Sequence, residues 1–395
     1  MSTKPLAGIK VVEFSHMIMG PSVGLILADL GAEVIKVEPI GGDKTRRLKG
    51  AGAGYFPMFN RNKKSVCIDL KSKKGAELAK QLISTADVFI ENMRPGALDK
   101  LGFGYEELSQ SHPELIYCSE KGFLSGPYEQ RTALDEIAQM MGGLAYMTGP
   151  PGRPLRAGSS VVDITGGMFG VIGVLSALTE RAATGKGAHV TASLFETTVF
   201  LVGQHMAQKS VTGIAAQPMP ARTSAWAIYD VFDTMDDDKV FVGVVSDTQW
   251  PIFCKAFGFT DWLDDESLNQ NGNGVERRDE IIPRVREVFM SITKKDLMGK
   301  LENAGLPFAP IARPEDLVDD PHLSESGGLI DLTLPNGNHT QLPALPLEFD
   351  GARPQLDGNP PAAGKDTAAI LQSLSITPDE IEMLVSSNVI DVISA

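Results

Sequence analysis

The chain has 395 residues, 43% of them hydrophobic, and its 50 acidic and 36 basic side chains give a formal net charge of −14. A chain of this length buries a large core and favours two domains, whereas its acidity argues against nucleic acid or an anionic membrane as the main partner. Three widely spaced cysteines without CxxC, and six histidines without HxxxH or HExxH pairing, argue against disulfides and a metal site. Because the N-terminus lacks an apolar signal core and no apolar run approaches membrane-spanning length, we expect a cytoplasmic protein.

The N-terminal half alternates between strand and helix patterns. The predicted strands are 9–14, 32–38, 65–70, 87–91, 114–118 and 188–193, and the predicted helices are 23–30, 74–84, 134–144, 163–181 and 194–209. The first strand, helix and strand together span about 30 residues, as in a βαβ unit, which implies parallel strands. The turn after the first strand lacks GxGxxG, so the NAD-binding fingerprint is absent.

These patterns predict an α/β fold class, with a doubly wound, Rossmann-like parallel sheet in a large domain at 1–211. A segment rich in Pro and Gly follows, and it reads as a linker. A β-hairpin within 226–245 and three helices then predict a smaller α+β domain at 222–322. The remaining residues, 323–395, form a tail with a Pro-rich extended part and two short helices.

The small-apolar helix predicted at 163–181 carries one acidic side chain in its apolar part, Asp163, where the helix begins. Asp163 suits an N-cap, because its carboxylate can accept the first free N–H groups of the helix. It equally suits a catalytic carboxylate at a helix N-terminus. These residues alone favour the cap, since capping aspartates far outnumber catalytic ones, and the two roles are compatible.

Basic residues cluster around the strand predicted at 65–70. They are Arg46, Arg47, Lys49, Arg61, Lys63, Lys64, Lys71, Lys73 and Lys74. Each alone suits a solvated surface, but as a group at the ends of parallel strands they suit the phosphates of a nucleotide-like ligand. The polar segment 91–96 also follows a strand directly, where such sheets bind ligands, although its Pro and Gly equally suit a plain turn.

Several blocks, in order, resemble family III CoA-transferases of the CaiB/BaiF type, such as formyl-CoA transferase and carnitine CoA-transferase. The blocks include LAGIKVVEF at 6–14, LADLGAEVIKVE at 27–38, NRNKKS at 60–65, IENMRPG at 90–96, VDITGG at 162–167 and TGKG at 184–187. The resemblance implies that 1–211 and 323–395 together complete the large domain and that two subunits interlock in a homodimer. It also favours a catalytic Asp163.

The resemblance further implies that the N-terminal domain binds CoA as a substrate, with no permanently bound cofactor. The implied CoA contacts are Met17, Ile18, Ile68, Asp69, Leu70, Lys71, Asn92, Met93, Arg94, Lys100, Arg131, Thr132, Ala133 and Leu134. Formyl-CoA transferase has a glutamine at the position of Ile18 and a glycine-rich active-site loop that this sequence lacks. Formate and oxalate are therefore not the expected substrates.

The related α-methylacyl-CoA racemases carry a histidine directly before the aspartate that matches Asp135, and here that position is Leu134. Because racemisation needs a base on each face of the carbon, transfer is favoured, with racemisation and non-catalytic acyl-CoA binding as alternatives. In transfer, Asp163 attacks the acyl-CoA to give a mixed anhydride and then an aspartyl-CoA thioester, which passes CoA to an acid.

Three further expectations concern the surroundings of this nucleophile. The N–H groups of Gly166 and Gly167 are expected to stabilise the oxyanions, and Asp135 is expected to assist catalysis as a second acid. Arg153 and Arg156, just before the helix, suit the second carboxylate of a dicarboxylic acid such as succinate.

Overall fold

The computed structural model describes residues 4–222, 224–268, 270–354 and 358–392. The chain divides into two compact units. The first contains the chain up to Pro220 and again from Pro321 onward, and the second is Ala221–Asp320. The candidate catalytic and CoA-binding residues all belong to the first unit.

The described strands are β1 (Lys10–Phe14), β2 (Glu33–Glu38), β3 (Lys64–Ile68), β4 (Val88–Glu91), β5 (Ile116–Lys121), β6 (His189–Ser193), β7 (Ile228–Asp233), β8 (Lys239–Val244), β9 (Phe308–Pro310), β10 (Leu329–Thr333), β11 (His339–Pro343) and β12 (Ile390–Asp391). The described α-helices are α1 (Met19–Asp29), α2 (Tyr55–Phe59), α3 (Lys73–Ile83), α4 (Tyr105–Ser111), α5 (Asp135–Met141), α6 (Leu144–Thr148), α7 (Val161–Thr184), α8 (Leu194–Thr212), α9 (Gln249–Phe257), α10 (Thr260–Leu263), α11 (Asn271–Glu276), α12 (Arg278–Phe289), α13 (Lys294–Asn303), α14 (Pro321–Glu325), α15 (Thr367–Ser373) and α16 (Pro378–Ser386).

Seven strands of the first unit form one sheet in the order β12-β3-β2-β1-β4-β5-β6. β1 to β6 run parallel, and β12 is antiparallel to β3. At the centre, Val12 pairs with Ile35 of β2 and with Phe89 of β4. All three are fully buried, as expected for parallel strands that are covered on both faces. The predicted α/β class with a large parallel-sheet core is confirmed.

The order of the strands places a crevice in the middle of this sheet. β2 and β3 lie on one side of β1, whereas β4, β5 and β6 lie on the other. The winding direction therefore reverses between the adjacent strands β1 and β4, and sheets of this kind bind ligands beyond the carboxyl ends of the strands at such a point. The residues that follow β1 and β4 are consequently the ones best placed to contact a ligand.

The C-terminal part of the chain covers the outer edge of the sheet beside β3. The Ser65 N–H donates to the Asp366 carboxylate at 2.8 Å, and the Asp366 N–H donates to the Ser65 carbonyl at 2.9 Å. The Thr367 hydroxyl accepts from the Cys67 N–H at 3.1 Å, and β12 adds a short antiparallel pairing. Backbone groups that an open edge strand would expose are thereby paired.

α7 is the long helix that carries Asp163. Its 24 residues begin two positions before the predicted start and end at Thr184. The next residue, Gly185, has a left-handed φ of 69°, which suits glycine. It packs against α1, β5, β6 and α8. Among the described helices, α7 is the one long and apolar enough to cross a membrane by length and composition, which corrects the expectation that no apolar run has that length.

The second unit has a small antiparallel sheet and a core of its own. β7 and β8 form the hairpin predicted around the acidic turn, and β9 pairs with β8 as a third strand that the sequence did not indicate. The Phe232 and Phe289 rings meet edge to face at 5.1 Å, and the Phe253 ring lies 6.3 Å from that of Phe289. All three side chains are fully buried.

Candidate functional site

Asp163 is the third residue of α7, and its carboxylate is free of hydrogen bonds from the residues that the structure describes. The residue is part-buried. Because it lies inside the first turn, it does not occupy the capping position, which belongs to Ser160, whose side chain makes no capping bond either. The interpretation of Asp163 as an N-cap is therefore not supported. Its carboxylate remains available to a ligand.

The cap of α7 comes from Asp135, the first residue of α5. One oxygen of its carboxylate accepts from the Val162 N–H at 2.9 Å and from the Asp163 N–H at 3.1 Å. The other oxygen accepts from the Gln139 amide at 2.6 Å and lies 3.2 Å from the Arg156 guanidinium. A carboxylate at this place satisfies free N–H groups and stabilises the positive end of the helix. Asp135 thus orients the backbone of Asp163 directly.

The charges around Asp163 favour its neutral form. Burial, together with the negative charge of Asp135, raises the pKa of Asp163 to about 7, although the positive charge of Arg156 acts to lower it. The carboxyl group of Asp163 is therefore close to half ionised at neutral pH. A carboxylate with a raised pKa that also lacks hydrogen-bond donors is a stronger nucleophile than an ordinary surface aspartate.

Gly166 and Gly167 were expected to donate N–H groups to oxyanions, and their positions in α7 do not suit that role. They are the sixth and seventh residues of the helix, where each N–H is bonded to the carbonyl four residues earlier. A Cβ on Gly166 would lie 2.6 Å from the Met19 side chain, and one on Gly167 would lie 2.8 Å from the Met19 carbonyl. The two glycines instead allow α1 and α7 to pack closely.

Residues implied in CoA binding flank the crevice between β1 and β4. Met17 and Ile18 follow β1, and Met17 has a positive φ of 63° with its N–H donating to the Thr45 hydroxyl at 3.1 Å. Asn92 follows β4, and its side chain accepts from the His16 N–H at 3.0 Å and donates to the His16 carbonyl at 2.8 Å. The structure therefore brings these two segments together at the place where such sheets bind ligands.

The other implied CoA contacts lie along the same edge of the sheet or just beyond it. Met93, Arg94 and Lys100 continue the segment after β4, and Ile68, Asp69, Leu70 and Lys71 lie at the end of β3. Because β2 separates β3 from β1, this second segment lies about 10 Å from the crevice. Arg131, Thr132, Ala133 and Leu134 precede α5, and Leu134 is 61% exposed.

Part of the basic cluster around β3 forms ion pairs with carboxylates inside the protein. The Arg61 guanidinium is buried and lies 2.8 Å from the Asp29 carboxylate, and the buried Lys63 ammonium lies 2.7 Å from Glu13. Arg46 binds Glu38 at 2.6 Å. These three cations stabilise buried carboxylates and are not free for phosphates, which corrects that interpretation for them. Ion pairs between distant segments leave no pattern in the sequence.

A cleft of about 400 Å³ opens beyond the carboxyl ends of β4 and β5. Its charged lining residues are Glu91, Arg94, Asp99, Glu106, Lys121 and Glu129. Carboxylates outnumber cations there, and Lys121 is already paired with Glu91 at 2.5 Å. The cleft is therefore a poor place for the phosphates of CoA, and Asp163 does not line it.

The chain matches the CoA-transferase family III over residues 6–367. It is 34% identical to an acyl-CoA transferase of Fusarium pseudograminearum, over 95% of this chain and 86% of that protein. It is 30% identical to the succinyl-CoA:glutarate CoA-transferase of Mus musculus, over 99% of this chain and 91% of the relative. Identity is also 30% to the formyl-CoA:oxalate CoA-transferase of Escherichia coli O157:H7, over 99% and 100% of the two chains.

Solved structures show the same fold. A CAIB/BAIF family protein from Brucella suis superimposes with a TM-score of 0.83 at 34% identity, over 95% of this chain and 100% of that one. A hypothetical protein from Mycobacterium tuberculosis superimposes with a TM-score of 0.81 at 27% identity, over 93% and 99%. The match spans both units and includes Asp163 and Asp135, and the relatives are named as CoA-transferases. The chain is therefore an enzyme of this kind, and it belongs to the CoA-transferase family III.

Proposed function

We propose that the enzyme moves CoA from an acyl-CoA to a carboxylic acid through a thioester on Asp163. The Asp163 carboxylate attacks the thioester carbonyl, the carbon–sulfur bond breaks, and CoA thiolate leaves a mixed anhydride. The thiolate then attacks the aspartyl carbonyl and releases the donor acid, which leaves Asp163 as its CoA thioester. The acceptor carboxylate repeats these two steps in reverse, and the free Asp163 carboxylate is regenerated.

The observation that carries this proposal is the unpaired, part-buried carboxyl of Asp163 at the start of α7. Most other buried carboxylates of the first unit are held by cations, for example Glu13 by Lys36 and Lys63. A carboxyl group without such a partner is free to become acylated and loses no ion pair when it does. The N-terminal end of α7 also supplies a partial positive charge for the oxyanions, in place of the two glycines.

We further propose that CoA occupies the crevice between β1 and β4. Support comes from the residues that follow these strands, since Met17, Ile18 and Asn92 lie where parallel sheets with this winding bind ligands. Lys71 follows β3, and Arg94 and Lys100 follow β4. We assign them to the phosphates, because charge-assisted contacts are the strong ones at such sites.

The acid substrate is proposed to be a dicarboxylate such as succinate. The relatives are named for succinate and glutarate and, in another case, for oxalate. In this chain Arg156 lies beside Asp135 at 3.2 Å, and its positive charge acts on Asp163. A guanidinium at that place suits the second carboxylate of an acid whose first carboxylate reacts with the aspartyl group.

The homodimer is proposed from the apolar surface of α7 and α8. Met168 and Ile172 of α7 and Phe200, Met206 and Val211 of α8 are exposed, and Phe200 is 72% exposed. Adjacent large apolar side chains of this kind mark interaction surfaces in otherwise polar proteins. A second copy of the chain is the proposed partner, in keeping with the interlocked arrangement that the family resemblance implies.

The test is to trap the thioester. Incubation with succinyl-CoA should add the mass of CoA to the peptide that contains Asp163, and hydroxylamine should convert it to a hydroxamate. Asp163→Ala should bind CoA yet lose transfer by at least about a thousandfold, as enzymes do when they lose a nucleophile. With isotopically labelled acids as acceptors, succinate should accept CoA from succinyl-CoA better than butyrate, its monocarboxylate analogue of equal length.

The same experiment separates the alternatives. Transfer that persists in Asp163→Ala would contradict the aspartyl thioester. Racemisation would appear as rapid α-deuterium exchange in heavy water without CoA transfer. The exposed Leu134 offers no base for that reaction. CoA binding without any modified peptide or product would indicate a non-catalytic acyl-CoA-binding protein.

A further inference from the structure

Glu120 lies under the catalytic helix, where Gly170 has no side chain. It is the fifth residue of β5, and its side chain shares the face of Ile116 and Cys118, which packs towards α1 and α7. One carboxyl oxygen lies 2.0 Å from the position that a Cβ on Gly170 would occupy. Gly170 is two helical turns after Asp163, on the same face of α7. The glycine therefore makes room for a carboxyl group against α7, two turns beyond the catalytic residue.

Glu120 also differs from the other buried acids that the structure describes. Each of those has a cation within 4 Å, and the pairs are Glu13 with Lys36 and Lys63, Asp29 with Arg61, Glu38 with Arg46, Asp43 with Lys36, Glu91 with Lys121, and Asp135 with Arg156. Glu120 is 3% exposed and has none. One oxygen meets only the Cys118 thiol at 3.4 Å, and the other has no partner among the described residues.

Glu120 has four charged or titratable groups around it. Cys118 and Lys121 lie on β5, Glu91 lies on the neighbouring strand β4, and Asp163 lies on α7. The Lys121 ammonium forms an ion pair with the Glu91 carboxylate at 2.5 Å. The net charge of the groups around Glu120 is therefore negative. Burial, together with the charges of Glu91 and Asp163, raises the pKa of Glu120 to about 8, although Cys118 and Lys121 act to lower it. An uncompensated charge there is costly.

We propose that Glu120 is a positioning residue that holds a proton during turnover, so that Asp163 is the ionised member of the pair, and that loss of this proton sets the alkaline limit of activity. This inference rests on the proposed role of Asp163 as the nucleophile. The negative charge of Asp163 is one of the causes that raise the pKa of Glu120, so an ionised Asp163 favours the protonated form of Glu120. Of the two forms that carry a single proton, only the one with the proton on Glu120 leaves an ionised nucleophile on Asp163. Ionisation of Glu120 places a second negative charge behind α7. This charge either draws water into the contact at Gly170 or displaces α7 from β5.

The first test is the pH dependence of kcat/KM in Glu120→Gln, which keeps the shape of the side chain but cannot ionise. We expect a bell-shaped profile for the wild type. In the variant, the fall of kcat/KM at acid pH should be retained. Its fall at alkaline pH should move to higher pH by at least one unit. The control is Cys118→Ala, which removes the other titratable group of the contact and should keep the wild-type alkaline fall. An unchanged alkaline fall in Glu120→Gln, or its loss in Cys118→Ala, overturns the inference.

A second test does not depend on how well a Glu120 variant folds. Infrared difference spectra of the Asp163→Ala protein at pH 6 should contain the stretch of a protonated, buried carboxyl group, which should disappear on further titration with base. Absence of that band at pH 6 overturns the inference. The proposed function is tested separately by the thioester trap. A failed trap with the infrared band present would reject Asp163 as the nucleophile without contradicting the protonation of Glu120.

Discussion

At the scale of single residues, the surroundings of Asp163 predict an acid limit on activity. Only the ionised carboxylate can attack, and burial together with Asp135 raises its pKa to about 7. We therefore expect kcat/KM to rise with pH through about 7, well above the range in which simple carboxylic acid substrates ionise. Initial rates with succinate between pH 5 and 8 measure this. A profile that is flat over that interval would contradict the assignment.

A pair of variants tests where this pKa comes from. The charge of Asp135 raises the pKa of Asp163 and that of Arg156 lowers it, so their removal must act in opposite directions. Asp135→Asn keeps an oxygen for the Val162 and Asp163 N–H groups, and it should move the acid limit down by roughly one pH unit.

Arg156→Gln should move the same limit up. Both profiles are recorded under identical salt, because screening weakens such effects. Shifts in the same direction in the two variants would show that general loss of structure, and not charge, is being measured.

At the scale of elements, the contact between α1 and α7 predicts how much one added methyl group lowers the stability of the first unit. A Cβ on Gly167 would lie 2.8 Å from the Met19 carbonyl, which is backbone and cannot move aside cheaply. Gly167→Ala should therefore destabilise the first unit by about 1–3 kcal/mol, and calorimetry measures it. Gly299→Ala is the control.

Gly299 lies within α13 and has open space around it. Alanine there should stabilise the helix by up to about 1 kcal/mol. Equal destabilisation by both substitutions would mean that close packing is not the reason for Gly167.

The helices and strands also show which parts of the fold can be predicted from the sequence. Long periodic segments were predicted with their types, because runs such as 9–14 and 32–38 carry the pattern of buried strands in themselves. β11 was missed since its residues, His339–Pro343, are largely polar, and β12 was missed since two residues form no pattern. Such strands exist only through their partners, β10 and β3.

In the candidate site, too, single residues could be identified from the sequence, whereas contacts between distant residues could not. Asp163 and Asp135 were both identified, yet the bond from Asp135 to the start of α7 joins residues 28 positions apart and has no local signal. The same holds for the pairing of Arg61 with Asp29. Glu120 offered a weak signal, since it is a charged residue at an inward position after Ile116 and Cys118. Its lack of a cation is visible only in three dimensions.

At the scale of the whole molecule, the apolar surface of α7 and α8 predicts a dimer. We expect sedimentation to give twice the 42.3 kDa of one chain. Ile172→Asp and Phe200→Asp place a charge on that surface and should lower the dimer fraction or the soluble yield. Met235→Asp, at an exposed methionine of the second unit, should change neither. A wild-type protein that sediments as a monomer would contradict the proposal.

The hydrogen bonds between β3 and the segment around Asp366 have a consequence for biosynthesis. The partners Ser65 and Asp366 are separated by about 300 positions, so the ribosome has made nearly the entire chain before they can meet. Until then, the nascent first unit keeps an unpaired edge strand, while Ala221–Asp320 already has all of its own core. The middle of the chain is thus expected to reach its final structure before the beginning does. We expect the exposed edge to be prone to aggregation in the meantime.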